Sequence, residues 1–128
     1  MSRSVDLFID SALPAGELAA QIERLTDLPV APNGEGTWTL SEGAVTAELA
    51  EHRYADDGDL WLTRYRYALS ARVPGAANPR DSAEALLLRR VAQALHRNGS
   101  FPVLLVLDLQ YRDAEPVGSS AAKGGDDD

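Results

Sequence analysis

Strand-type and helix-type patterns follow one another along this chain in the order strand, helix, strand, strand, helix, strand, and that order constrains the fold more than any other feature. Val5, Leu7 and Ile9 alternate with Asp6, Phe8 and Asp10, the period of two expected of a strand with one buried face. Pro14 suits the first turn of a helix, Glu17 lies near its positive end, and Leu18, Ile22 and Leu25 recur at helical spacing, predicting a helix over residues 14–25. Residues 38–54 read as a strand broken or bulged at Ser41-Glu42-Gly43, burying Val45, Ala47 and Leu49. Asp57-Gly58 supplies the positive-φ position of a hairpin turn. The return strand, residues 60–73, places Trp61, Tyr65, Tyr67, Leu69, Ala71 and Val73 on one side. Asn78-Pro79 opens a second helix with a cap followed by proline, and Leu87, Leu88, Val91 and Leu95 form its apolar stripe. Asn98-Gly99 is expected to close it in the left-handed conformation, and residues 101–111 form a final apolar strand.

This β-α-β-β-α-β order predicts a ferredoxin-like α+β sandwich, two helices on one face of a four-stranded antiparallel sheet. Such a scaffold hosts unrelated functions, so it places surfaces without naming an activity. Residues 1–117 are expected to form a single domain. Residues 118–128, from Gly118 to Asp128, carry no side chain able to join a core and are expected to be a disordered acidic tail. The absence of cysteine excludes disulfides and thiolate metal sites. Asp6 and Asp10 interrupt the apolar start too early for a signal-peptide core, and no apolar run approaches the ~20 residues of a membrane helix, so the expected setting is cytoplasmic, away from membranes.

The residues that could carry chemistry do not gather into a recognisable set. His52 lies late in a strand and His96 at a helix end, where a cation complements the helix dipole. Asp56, Asp57 and Asp59 offer oxygen ligands within one turn, but without the spacing of a calcium loop. Gly34-Glu35-Gly36 lacks a third glycine and precedes a strand, which is the wrong context for a phosphate cradle. No cofactor is therefore expected. Arg64-Tyr65-Arg66-Tyr67 has the residue types of an RNA-reading strand, yet rings and charges alternate onto opposite faces. The net charge of −8 also repels a phosphate backbone, so no nucleic acid is expected as a partner.

The helix-free face of the sheet is the more informative surface. It is expected to present Asp6, Phe8 and Asp10, then Glu48 and His52, then Arg64, Arg66 and Arg72, and finally Asp108, Gln110 and Arg112. Leu104 and Val106 on that side suggest that part of it is covered. Such a face is either a solvated cross-strand ladder of charges or a binding surface centred on Phe8.

Residues 51–73, from Glu51-His52-Arg53-Tyr54 through the acidic turn, followed by a leucine-rich helix and Phe101-Pro102-Val103-Leu104-Leu105-Val106-Leu107-Asp108, resemble a group of small acidic bacterial immunity proteins that neutralise toxins. The resemblance implies a non-enzymatic, stoichiometric binder of a basic protein. Asp56, Asp57, Asp59, Phe8, Asp10, Arg64, Arg66 and His52 are then the expected contact residues. Two other classes compete. One is a small-molecule-binding or enzymatic dimer with a pocket ringed by His52, Arg64 and Tyr65, between sheet and helices or between subunits. The other is an assembly subunit that forms homodimers through the sheet face or an edge strand.

Overall fold

A computed structural model describes residues 3–34, 36–52, 62–74, 78–99, 101–108 and 113–115. The expected hairpin turn with Asp56, Asp57 and Asp59, and the expected tail from residue 118, lie outside the described residues. The elements are β1 (Arg3–Ile9), α1 (Ala15–Thr26), β2 (Val30–Pro32), β3 (Trp38–Glu42), β4 (Val45–Glu51), β5 (Tyr67–Val73), α2 (Ala83–Asn98), β6 (Val103–Asp108) and β7 (Asp113–Glu115). Short 3-10 turns at Leu62–Arg64 and Pro79–Asp81 precede β5 and α2.

The strands form one sheet in the order β2-β3-β4-β5-β1-β6-β7, and every neighbouring pair is antiparallel. The chain is thus α+β, but among the described residues its sheet has seven strands rather than the four expected. The difference arises mainly from residues 30–49. The Ser41-Glu42-Gly43 break is not a bulge in one long strand: Glu42 pairs with Val45 around a two-residue turn in which Gly43 takes φ 61°. That left-handed angle is cheap for glycine and reverses the chain. Val30 then pairs with Leu40, adding a third strand between the first helix and the strand expected from residue 38. Pro32, which cannot donate to a ladder, is tolerated because β2 is an edge. At the other edge β7 pairs with β6.

Alternation along the strands sends Val5, Leu7, Ile9, Ala47, Leu49, Tyr67, Leu69, Ala71, Val73, Leu105 and Leu107 into a core shared with both helices. Leu18, Ala19 and Ile22 of α1 and Ala85, Leu88, Val91, Ala92 and Leu95 of α2 supply the facing layer. Both helices therefore cover the same side of the sheet. Their ends follow local chemistry. Ser82 caps α2, its hydroxyl accepting from the Ala85 N–H at 3.0 Å, while Asn78 accepts from the Arg80 N–H one turn earlier. Asp27 ends α1 with φ 60°. Gly99, expected in the left-handed conformation, instead has φ −103°. Its role is steric, since a Cβ there would lie 2.8 Å from the Phe101 ring and 2.9 Å from Leu25 Cδ1.

Candidate functional site

The helix-free face of the sheet is divided into a covered half and an open half. Row by row across the strands, Ala50, Ala68, Phe8 and Leu104 lie in register, and the next row is Glu48, Ser70, Asp6 and Val106. The first row is apolar, and the second turns polar toward β4.

The 3-10 turn at Leu62–Arg64 folds over the apolar row instead of extending β5 as expected. Leu62, Phe8, Ala68 and Val106 form a second buried cluster, flanked by Tyr65, Leu104 and Ala114. Tyr65, expected beneath the helices, thus lies on the opposite side, its ring centroid 6.5 Å from that of Phe8. Phe8 was expected at the centre of an exposed surface, but it is fully enclosed. Burying its ring against Leu62 removes more apolar area from water than an open strand would, and this overrides the continuation of β5.

His52 holds this cover in place. Its ring meets Phe8 edge-on at 4.9 Å, and Nε2 lies 3.0 Å from the Leu62 carbonyl oxygen and 2.5 Å from that of Tyr65. Carbonyl oxygens only accept, so Nε2 carries the proton and donates to both. The remaining predicted site residues scatter. Asp10 is exposed beyond β1, its N–H donating to the Pro102 carbonyl at 2.9 Å. Arg64 is exposed on the cover. Arg66 pairs with Glu51 at 3.1 Å, lies over the Tyr67 ring and donates to the Leu13 carbonyl oxygen. Of the three residues expected to ring a pocket, His52 is bonded to the backbone carbonyls of Leu62 and Tyr65, the Tyr65 ring flanks the Phe8 cluster, and Arg64 is exposed. Asp108 pairs with Asp113 through the backbone, and Gln110 and Arg112 lie outside the described residues.

The open half carries a cleft of about 350 Å³ lined by Arg3, Ser4, Asp6, Glu48, Ser70, Ala71 and Arg72. Asp6 lies beneath it, fully buried. Ser70 Oγ donates to Asp6 Oδ1 at 2.5 Å and Ser4 Oγ donates to Asp6 Oδ2 at 2.9 Å. Burial pushes the Asp6 carboxyl above its ordinary 3.8, and the two hydroxyl hydrogen bonds and the nearby His52 offset part of that rise. Glu48 is exposed at the β4 side, with Asn33 Nδ2 3.4 Å from its Oε2. Arg72 is exposed at the end of β5, beside Ser4 in the β1–β5 register. Sequence reading places Asp6, Glu48 and Arg72 on this face, and Ser70 on the same side of its strand as Arg72, but misses Ser4. Ser4 shares the face with Asp6 by strand parity, and that parity is the signal that could have found it.

Among the described residues, no three His, Asp or Glu side chains gather into a metal-holding group, and no helix is long and apolar enough to cross a membrane. Fold and site together define an α+β domain with a mixed-charge cleft on its helix-free sheet face. No family model, curated protein or solved structure matches this chain.

Proposed function

We propose that this chain is an acidic binding domain that engages a basic protein partner, in the manner of an immunity or antitoxin protein, through the open half of its sheet face. The observation that carries the reading is the cleft. It sets two carboxylates and two serine hydroxyls beside Arg3 and Arg72 on a rigid sheet, in a chain whose net charge is −8. The net negative charge of the chain raises association rates with positively charged partners and discriminates against acidic ones. The sequence-based acidic turn, Asp56, Asp57 and Asp59, belongs to the same proposal as a second negative element. On this reading the β-α-β-β-α-β order retained by β1, α1, β4, β5, α2 and β6 is a ferredoxin-like core carrying three added strands. Their spatial order, β4-β5-β1-β6, supports that reading.

The test is capture of partners by the tagged full chain from its native source, followed by association kinetics on the purified partner. Replacing Glu48 by lysine, or Asp56, Asp57 and Asp59 together by asparagine, should slow association several-fold at low salt. Added salt should reproduce the loss, because ions screen exposed charges over roughly 8–10 Å at physiological strength. Unchanged rates in both variants would refute the reading. The same cleft favours a second reading, a small polar ligand, since its volume lies at the lower end of ligand pockets. Homodimer formation through an edge has less support: β2 and β7 have three residues each, and β2 contains Pro32.

A further inference from the structure

We infer that the cleft between β1, β4 and β5 is a receptor for one cationic side chain, an arginine or lysine of the partner protein, with Ser4 and Ser70 as its hydrogen-bond acceptors and Asp6 as the buried charge behind them. The inference rests on the reading that the chain binds a basic protein, and it assigns the chemistry of the contact.

The argument begins with proton accounting. A serine hydroxyl has one proton and two lone pairs. Ser4 and Ser70 both give their proton to the Asp6 carboxylate, one to each oxygen. Each Oγ is then left with lone pairs only, so toward the cleft both hydroxyls act as acceptors. Asp6 is fully buried at the cleft, with the hydroxyls of both serines bonded to its carboxylate oxygens. It polarises them, and chains of hydrogen bonds transmit such polarisation cooperatively. Glu48, in register with Ser70 on the neighbouring strand, adds a carboxylate at the side of the cleft. Two acceptor-only hydroxyls, a carboxylate beside them and a carboxylate behind match a group that only donates and carries positive charge. Guanidinium has five N–H donors and ammonium three, and neither accepts.

The strands hold this arrangement rigidly. Asp6, Ser70 and Glu48 are consecutive partners across three strands, and Ser4 stands two residues before Asp6 on the same face. The site therefore needs no induced order to form, which lowers the cost of binding. Arg72 and Arg3 line the same cleft, and their like charge disfavours a ligand with several positive charges packed together. A single basic side chain beside neutral or acidic neighbours is the occupant that meets both signs. Asp6 touches no ligand on this account, so it is a positioning residue, and its effect reaches the ligand through the serines.

The experiment is a titration of the isotopically labelled full chain, followed by backbone amide shifts in nuclear magnetic resonance. The probes are N-acetyl-arginine amide, N-acetyl-lysine amide and N-acetyl-citrulline amide, the last being the uncharged match of the first. The arginine or the lysine probe should give saturable shifts at Ser4, Glu48 and Ser70 with millimolar affinity, and whichever binds more tightly names the side chain. The citrulline probe should give none. Asp6→Asn and Ser70→Ala should each weaken binding about tenfold, the loss expected for roughly one charge-assisted hydrogen bond. Glu48→Gln, at an exposed position where folding is not in question, should weaken it several-fold. Equal shifts from the citrulline probe, or wild-type affinity in Glu48→Gln together with either of the other variants, would overturn the assignment. Absence of saturable shifts with both charged probes would also overturn it, whatever partner is captured. Saturable binding of a charged probe without any basic partner would leave the cleft standing and remove the protein-binding reading instead.

Discussion

Ser70 donates its hydroxyl proton to Asp6 at 2.5 Å across the β5–β1 ladder, joining two residues 64 positions apart in the chain and placing a carboxylate where water does not reach. The two hydroxyls satisfy part of that carboxylate, but the burial outweighs them and leaves its pKa above 3.8.

A group whose folded pKa is raised contributes stability that is fully present below its unfolded value and is lost as the pH rises through its folded value. Asp6 therefore stabilises the fold at acidic pH and lowers stability once ionised. Asp6→Asn keeps the shape and removes the charge, so it should be more stable than the wild type at neutral pH. Its advantage should shrink as the pH falls toward 3.8. Denaturant unfolding of both proteins across that range measures the difference, and a difference independent of pH would contradict the assignment.

His52 ties the cover over Phe8 through two carbonyl oxygens. His52→Ala should cost about 1–3 kcal/mol, the range for leaving buried polar groups unpaired. Amide exchange should rise chiefly over residues 62–66, while β1 and β6 stay protected. Uniform acceleration through the sheet would instead mean that the cover and the main core open together.

Gly99 shows how a glycine can be required without an unusual backbone angle. Gly99→Ala should destabilise by about 1–3 kcal/mol through overpacking against Phe101 and Leu25. Gly43→Ala meets open space and should cost about 1–2 kcal/mol through its left-handed backbone alone. Pairing Gly99→Ala with Leu25→Ala separates the two causes, since removing the obstructing methyl should recover part of the first loss and none of the second.

Tyr67 is fully buried and donates from its hydroxyl to the Leu13 carbonyl oxygen at 2.6 Å, pinning the loop between β1 and α1 to β5. Tyr67→Phe should cost about 0.5–1.5 kcal/mol, the usual net worth of one such bond, with little change in the slope of denaturant unfolding. A larger slope would show that the loop also organises the unfolded chain.

Much of the sheet was legible because alternation is local. Val5, Leu7 and Ile9 announce a buried face in five residues, and Tyr67, Leu69, Ala71 and Val73 do so again; all seven are buried on the helix side. The stripe Leu87, Leu88, Val91 and Leu95 likewise marks the inner face of α2. The three-strand meander over residues 30–49 was misread. Gly43 is compatible with both a bulge and a turn, and only the pairing of Leu40 with Ala47 distinguishes them.

The sequence by itself determined which residues turn toward the helices, where both helices run and that the other face would carry charges of both signs, because side-chain period and capping act within a few residues. Tertiary structure alone decided that Leu62 would close over Phe8, that His52 would hold it there, and that Ser4 and Ser70 would meet across Asp6. Those outcomes depend on strand register between distant segments and on competition for buried area, and no local pattern encodes either.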